Sequence, residues 1–267
     1  MRLTHQKRLH RLVTNLFCLC ICLWLGACTA APFTGRSQLI LISADQEAAL
    51  GLKSYRQVLR ESKLSRDEKL ISQVRTVGTR IAAASDRSDF EWEFNVIEDD
   101  KTANAFCLPG GKVAIYTGIL PYTKDENGLA TVISHEVAHA IARHGAERMT
   151  TTLIAQIGHE AMHIAIREQS GMAIQAASMA YGVGAQIGFI LPFSRTHELE
   201  ADRIGLILMA RAGYDPGEAI AFWQRLSRVE KDKIPAFLST HPTDETRIRN
   251  IKGHLPEALR YYSKRLD

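Results

Sequence analysis

Apolar residues recur at helical spacing from Ser43 to about Ala84, with one break, and Ser43 and Gln46 have the spacing of a capping box. The period then changes. In FEWEFNVIEDD, residues 90–100, apolar and polar positions alternate, which puts Phe90, Trp92, Phe94 and Val96 on one face of a half-buried strand. Pro109-Gly110-Gly111 reads as a turn, and Lys112–Thr117 as a second strand. From Gly128 to His135 the residues between are small or apolar, which predicts a helix buried on most sides. Residues 169–194 carry no Asp, Glu, Lys or Arg. That length invites a membrane span, but Gln175, Gln186, Gly182, Gly184 and Gly188 dilute it, so a buried helix or a lid over a cleft is expected. No long-period repeat is present. The whole reads as a helix-rich α+β chain.

The N-terminus follows another pattern. Arg2, Lys7, Arg8 and Arg11 precede the apolar run LFCLCICLWLGAC, the layout of a secretory signal and too short to favour a permanent span. Leu25-Gly26-Ala27-Cys28 looks like a bacterial lipobox, which makes residues 1–27 a signal peptide and Cys28 a lipidated first mature residue. Thr29, rather than Asp, resembles the default sorting to the outer membrane. The expected organisation is therefore a signal (1–27), a lipidated N-terminus and linker (28–42) and one domain (43–267). Removing the four basic residues of the signal takes the formal charge from +4 to about zero, so nucleic acid is not an expected partner. Cys18, Cys20 and Cys22 leave with the signal, and Cys107 alone cannot form an internal disulfide; it reads as a small buried apolar residue.

The chemistry is concentrated in HEVAHAIARHGAERMTTTLIAQIGHEAMH, residues 135–163, where HExxH occurs twice. Two histidines at i and i+4 share a helical face and can hold one zinc ion, and the Glu between them can serve as general base. HEVAH lies in the apolar helix beside the strand pair, whose edge can accept an extended peptide. HEAMH follows a threonine run and precedes polar IREQSG, which marks it as the coincidental copy. A catalytic zinc takes a third protein ligand. SRTHELEADRIG offers Glu198 with Asp202 one turn on, where Asp202 can hold the spare N–H of a ligand histidine. The same acids also fit a solvated helix, with Asp202 paired to Arg203 or Arg195. His144, five residues after His139, is rotated off the ligand face and suits a helix end or the surface. His197 is expected to face elsewhere, and Glu200 to point away from Glu198.

HEVAH, SRTHELEAD, STHPTDETRI (239–248) and NAFCLPGGKVAIYTGIL together resemble the HtpX and BepA family of zinc peptidases, related to the CAAX prenyl proteases (peptidase family M forty-eight). PFTGRSQLILIS is similar to the start of its bacterial lipoprotein members. The resemblance implies a gluzincin domain with one zinc per chain. His135, His139 and Glu198 become ligands, Glu136 the base, and Asp202 a neighbour of the ligand histidines. It also brings His241 near the metal, as an oxyanion donor or as a latch on the open position. Gly111, Lys112, Val113 and Ala114 are expected to form the edge that holds substrate. The implied activity is endoproteolysis of unfolded or misfolded envelope proteins at the periplasmic face of the outer membrane. The membrane would be reached through lipid on Cys28, and outer-membrane assembly machinery is a possible partner. A non-catalytic chaperone on the same fold is the alternative.

Overall fold

The computed structural model describes residues 28–186, 191–229, 235–242 and 245–266; residues 1–27, where a signal is expected, and Thr243 and Asp244 lie outside them. The described chain opens with β1 (Cys28–Ala30) and β2 (Ser37–Leu39), an antiparallel hairpin. Two helices follow, α1 (Ala44–Glu61) and α2 (Glu68–Ala84). Ser43 caps α1 through the expected reciprocal box with Gln46, and Asp67 caps α2 by accepting from the Leu70 N–H.

Next come β3 (Glu93–Ile97), β4 (Ala105–Leu108) and β5 (Lys112–Tyr116). They form a sheet in the order β3-β5-β4, with β3 parallel and β4 antiparallel to β5. The β4–β5 turn needs Gly110 and Gly111, which sit at φ of 82° and 83° where a Cβ is disfavoured. β5 is therefore the central strand. Gly111–Ala114 cannot serve as the substrate edge, because Lys112, Val113 and Ala114 pair on both sides. The edge beside the HEVAH helix belongs to β4.

A 3₁₀ turn (Thr117–Ile119) and α3 (Leu120–Thr123) lead into α4 (Glu126–Ile141), capped by Asp125. Every residue of α4 from Gly128 to Ile141 is buried except His139, as the run of small and apolar residues predicted. Val132, Ile133, Val137 and Ile141 are at most 1% exposed, and each contributes roughly 1.5–3 kcal/mol relative to an exposed side chain. α5 (His144–Ala165), α6 (Gly171–Ala185), α7 (Leu191–Ala212), α8 (Glu218–Ser227), α9 (Ala236–Thr240) and α10 (Glu245–Leu266) complete the chain. α4 packs most closely on α7, where a Cβ on Gly205 would lie 3.3 Å from the His135 nitrogen.

Two expectations change here. Residues 28–42 are not a free linker: Ala31, Gln38 and Ile40 are buried, and Arg36 reaches Glu147 and Glu200. Nor is the described part of 169–194 a buried helix: α6 packs mainly on α5 and exposes Met172, Met179 and Val183, while residues 187–190 lie outside the described residues. No helix among the described residues is long and apolar enough to cross a membrane.

Candidate active site

α4 presents His135 and His139 one turn apart, and their Nε2 atoms lie 3.1 Å from each other. α7 brings Glu198 to them, with Oε2 3.3 Å from His135 Nε2 and Oε1 3.4 Å from His139 Nε2. His241, at the end of α9, adds Nδ1 at 2.9 Å from Glu198 Oε2 and 3.2 Å from His135 Nε2. The donor atoms of these four residues lie within 4.8 Å of one another. Three imidazoles and a carboxylate are borderline N and O donors, the set that suits zinc. Among the described residues no other His/Cys/Asp/Glu group has this arrangement. His159 and His163 of HEAMH instead meet Tyr181 and Ser178 on α6, with His163 Nε2 2.8 Å from the Ser178 hydroxyl.

Glu136 sits on the same turn, 4% exposed, and its Oε1 is buried without a hydrogen-bond partner. Burial pushes its carboxyl up to about 7, against the pull of the nearby His241 and of the Cys107 N–H of β4, which donates to it. His241 Nε2 lies 3.2 Å from that Oε1. A buried acceptor beside a cluster of metal-type donors is able to serve as a general base.

The ligand-type residues are held from behind. His135 Nδ1 donates to Asp202 Oδ1 at 3.0 Å, one turn beyond Glu198 as the spacing required. Asp202 does not pair with Arg203 or Arg195. Arg247 of α10 takes it in a fork, Nε to Oδ2 at 2.7 Å and Nη2 to Oδ1 at 2.8 Å, while its guanidinium stacks on Trp223 at 3.5 Å. Burial works to raise both Glu198 and Asp202. The surrounding histidines together outweigh it at Glu198, and Arg247 with His135 at Asp202, so both stay below the usual carboxylate range. Burial drives the His139 pKa well down, which favours a neutral donor ring.

His144 is not at the surface. It is fully buried, with Nδ1 2.9 Å from His139 Nδ1 and Nε2 3.0 Å from Glu200 Oε2. Its five-residue spacing misleads because α4 stops at Ile141 and Arg143 adopts φ 58°, which swings the chain back toward His139. Burial lowers its pKa to about 4. Glu200 does point away from Glu198, and His197 turns from the cluster to Glu147 at 2.8 Å. Arg247, Arg36 and Glu147 had no assigned role; Arg247 lies inside STHPTDETRI, whereas nothing local marks the other two. Cys107 is buried as expected.

A sequence profile of Peptidase family M48 matches residues 68–255, which include the donor cluster, Asp202 and Arg247. The mitochondrial metalloendopeptidase OMA1 of Schizosaccharomyces pombe is 39% identical over 232 residues, covering 85% of this chain and 66% of that protein. The corresponding Saccharomyces cerevisiae protein is 32% identical over 256 residues, 88% of this chain and 71% of its own length. The beta-barrel assembly-enhancing protease of Yersinia pestis is 32% identical over 231 residues, 83% of this chain and 46% of that protein. This chain thus spans about two thirds of the fission-yeast relative and under half of the Yersinia one. With the profile match over most of its length and the donor cluster inside the matched region, the chain belongs to peptidase family M48, a family of metallopeptidases.

Proposed function

We propose that the protein is a zinc-dependent endopeptidase that cleaves unfolded or misfolded bacterial envelope proteins, held by lipid on Cys28 at the periplasmic face of the outer membrane. The observation that carries the catalytic part is the convergence of His135, His139, Glu198 and His241, with the unsatisfied Oε1 of Glu136 3.2 Å from His241. These three would hold the zinc, with His241 able to approach it. Zinc when bound supplies Lewis acidity and brings the pKa of a water ligand to about 7.

The chain's own residues account for the rest. Glu136, raised to about 7, takes a proton from water near neutral pH and returns it to the leaving amine. The edge of β4 accepts the substrate as an added strand; the Ala105 N–H is not committed to β5 and bonds only the Asn104 side chain. An extended substrate is what an unfolded chain offers and a folded one rarely does. The start of that edge is occupied: the Phe237 N–H of α9 donates to the Ala103 carbonyl at 2.9 Å, four residues before His241. This supports the latch reading of His241, since a full-length substrate strand competes with α9.

The envelope setting draws on the bacterial relative's name as a beta-barrel assembly-enhancing protease and on the lipobox-like Leu25–Cys28. That machinery is then a candidate partner. The fungal relatives named mitochondrial are a reminder that the domain serves more than one membrane compartment.

Zinc content and cleavage of an unstructured casein substrate test the reading together. His135→Ala and His139→Ala should each abolish both, while His159→Ala and His163→Ala should leave both near wild type. Glu136→Gln should keep zinc and lose cleavage. A wild-type protein that binds zinc and holds clients without cutting them would leave the chaperone alternative instead.

A further inference from the structure

A line of polar side chains, half-buried at the N-terminal hairpin and buried beyond it, runs to the back of His139. Arg36, between β1 and β2, donates through Nε to Glu200 Oε2 at 2.7 Å, and the Thr34 hydroxyl donates to Glu200 Oε1. Glu200 Oε2 also receives the Nε2–H of His144 at 3.0 Å, and His144 Nδ1 lies 2.9 Å from His139 Nδ1. A carboxylate only accepts, so the proton of the neutral His144 ring is on Nε2 and its Nδ1 is an acceptor. His139 must then carry its own proton on Nδ1. Its Nε2 lone pair is left facing Glu198 and His135.

Arg36 grips the same ring from a second side. Its Nη1 and Nη2 bond the two oxygens of Glu147 at 2.9 and 2.7 Å, and Glu147 Oε2 accepts from His197 at 2.8 Å. The His197 ring lies flat on His144, 4.2 Å between centroids at 11°. One guanidinium therefore fixes His144 through a hydrogen bond by way of Glu200 and through stacking by way of Glu147. We propose that Arg36 is a positioning residue for His139, acting through Glu200 and His144, so that the N-terminal hairpin is part of the metal site. Thr34 and Arg36 lie outside the residues matched by the family profile, 68–255. The inference rests on the reading of His139 as a zinc ligand.

The test measures the zinc dissociation constant of the full chain by chelator competition, beside the thermal stability of the metal-free protein. Arg36→Ala should weaken zinc binding by roughly 10–100-fold, the usual cost of losing a partner behind a ligand. Arg36→Lys should recover only part of it, since an ammonium cannot reproduce the fork to two carboxylates. Glu200→Gln should lose a similar amount, and the double variant no more than either single one. Thr150→Val is the control. It removes the 3.0 Å bond from the Leu41 N–H that fastens the far end of the same segment, and should cost stability but not zinc affinity. If Arg36→Ala does not fold, the near-isosteric Glu200→Gln decides. Zinc affinity within roughly twofold of wild type in Glu200→Gln or in a folded Arg36→Ala overturns the proposal. A wild-type chain that binds no zinc overturns the zinc-peptidase reading beneath it.

Discussion

His241 has contacts that suit two opposite roles: one ring nitrogen lies 2.9 Å from Glu198 and the other 3.2 Å from Glu136. As a latch it fills the open metal position, and His241→Ala should raise basal peptidase activity. As an oxyanion donor, its loss should lower kcat by roughly 10²–10³. Its position at the end of α9, which already bonds Ala103 just before β4, favours the latch. Comparing wild type and His241→Ala on one unstructured substrate, with zinc content checked, separates them; unchanged activity would return His241 to loop packing. Glu147 makes a separate residue-scale forecast. Burial works to raise its pKa, but hydrogen bonds from His197 and Arg36 prevail and bring it from 4.5 to about 2. A carboxylate lowered on folding adds stability above its unfolded pKa and loses it as pH falls toward the folded value. The metal-free protein should therefore lose stability between about pH 4.5 and 2. Urea midpoints across that window should show a shallower slope for Glu147→Gln, and an equal slope would assign the acid sensitivity elsewhere.

At the scale of elements, the sheet order decides which strand offers a free edge. β4 and β5 are joined by a tight turn and look alike as text; β5 became central only because β3 paired with it in parallel, across the intervening β4. Local pattern does not encode which of two hairpin strands a distant third will choose. Ala105→Pro tests the resulting edge. It deletes an N–H that bonds only Asn104, and proline is tolerated on an edge strand at such positions. Zinc content should stay at wild type while kcat/KM on an unstructured substrate falls at least tenfold, roughly 1.4 kcal/mol. Full activity would show that substrate does not add to β4. The α4–α7 contact is the other deciding element, since Gly205 lets the helix of Glu198 approach that of His135.

Across the whole molecule, the N-terminal hairpin is joined to the site through Glu147 and Glu200, so an anchor at Cys28 would be followed after a few residues by Thr34 and Arg36 behind His144 and His139. Such an attachment would be more than a tether. Wild-type protein should incorporate palmitate and sediment with membranes, and Cys28→Ser should do neither. Soluble wild-type protein processed at another residue would defeat the lipid assignment and leave the metal site untouched.

Sequence alone determined what depends on near neighbours: the cap of α1, the buried α4, the HEVAH pair, and Glu198 with Asp202 on one face of α7. Each follows from a fixed helical period or a short capping motif. The choice of HEVAH over HEAMH was also legible, because apolar surroundings are written locally. The tertiary structure decided what depends on chain returning from far away. It set β4 rather than β5 at the edge, Arg247 behind Asp202, and His144 turned inward by the left-handed Arg143. It also docked residues 28–42, where a polar GRS looks like linker until Glu147 and Glu200 are brought to Arg36. A half-buried arginine is polar text like any other, and only the carboxylates it meets in the fold reveal which kind it is.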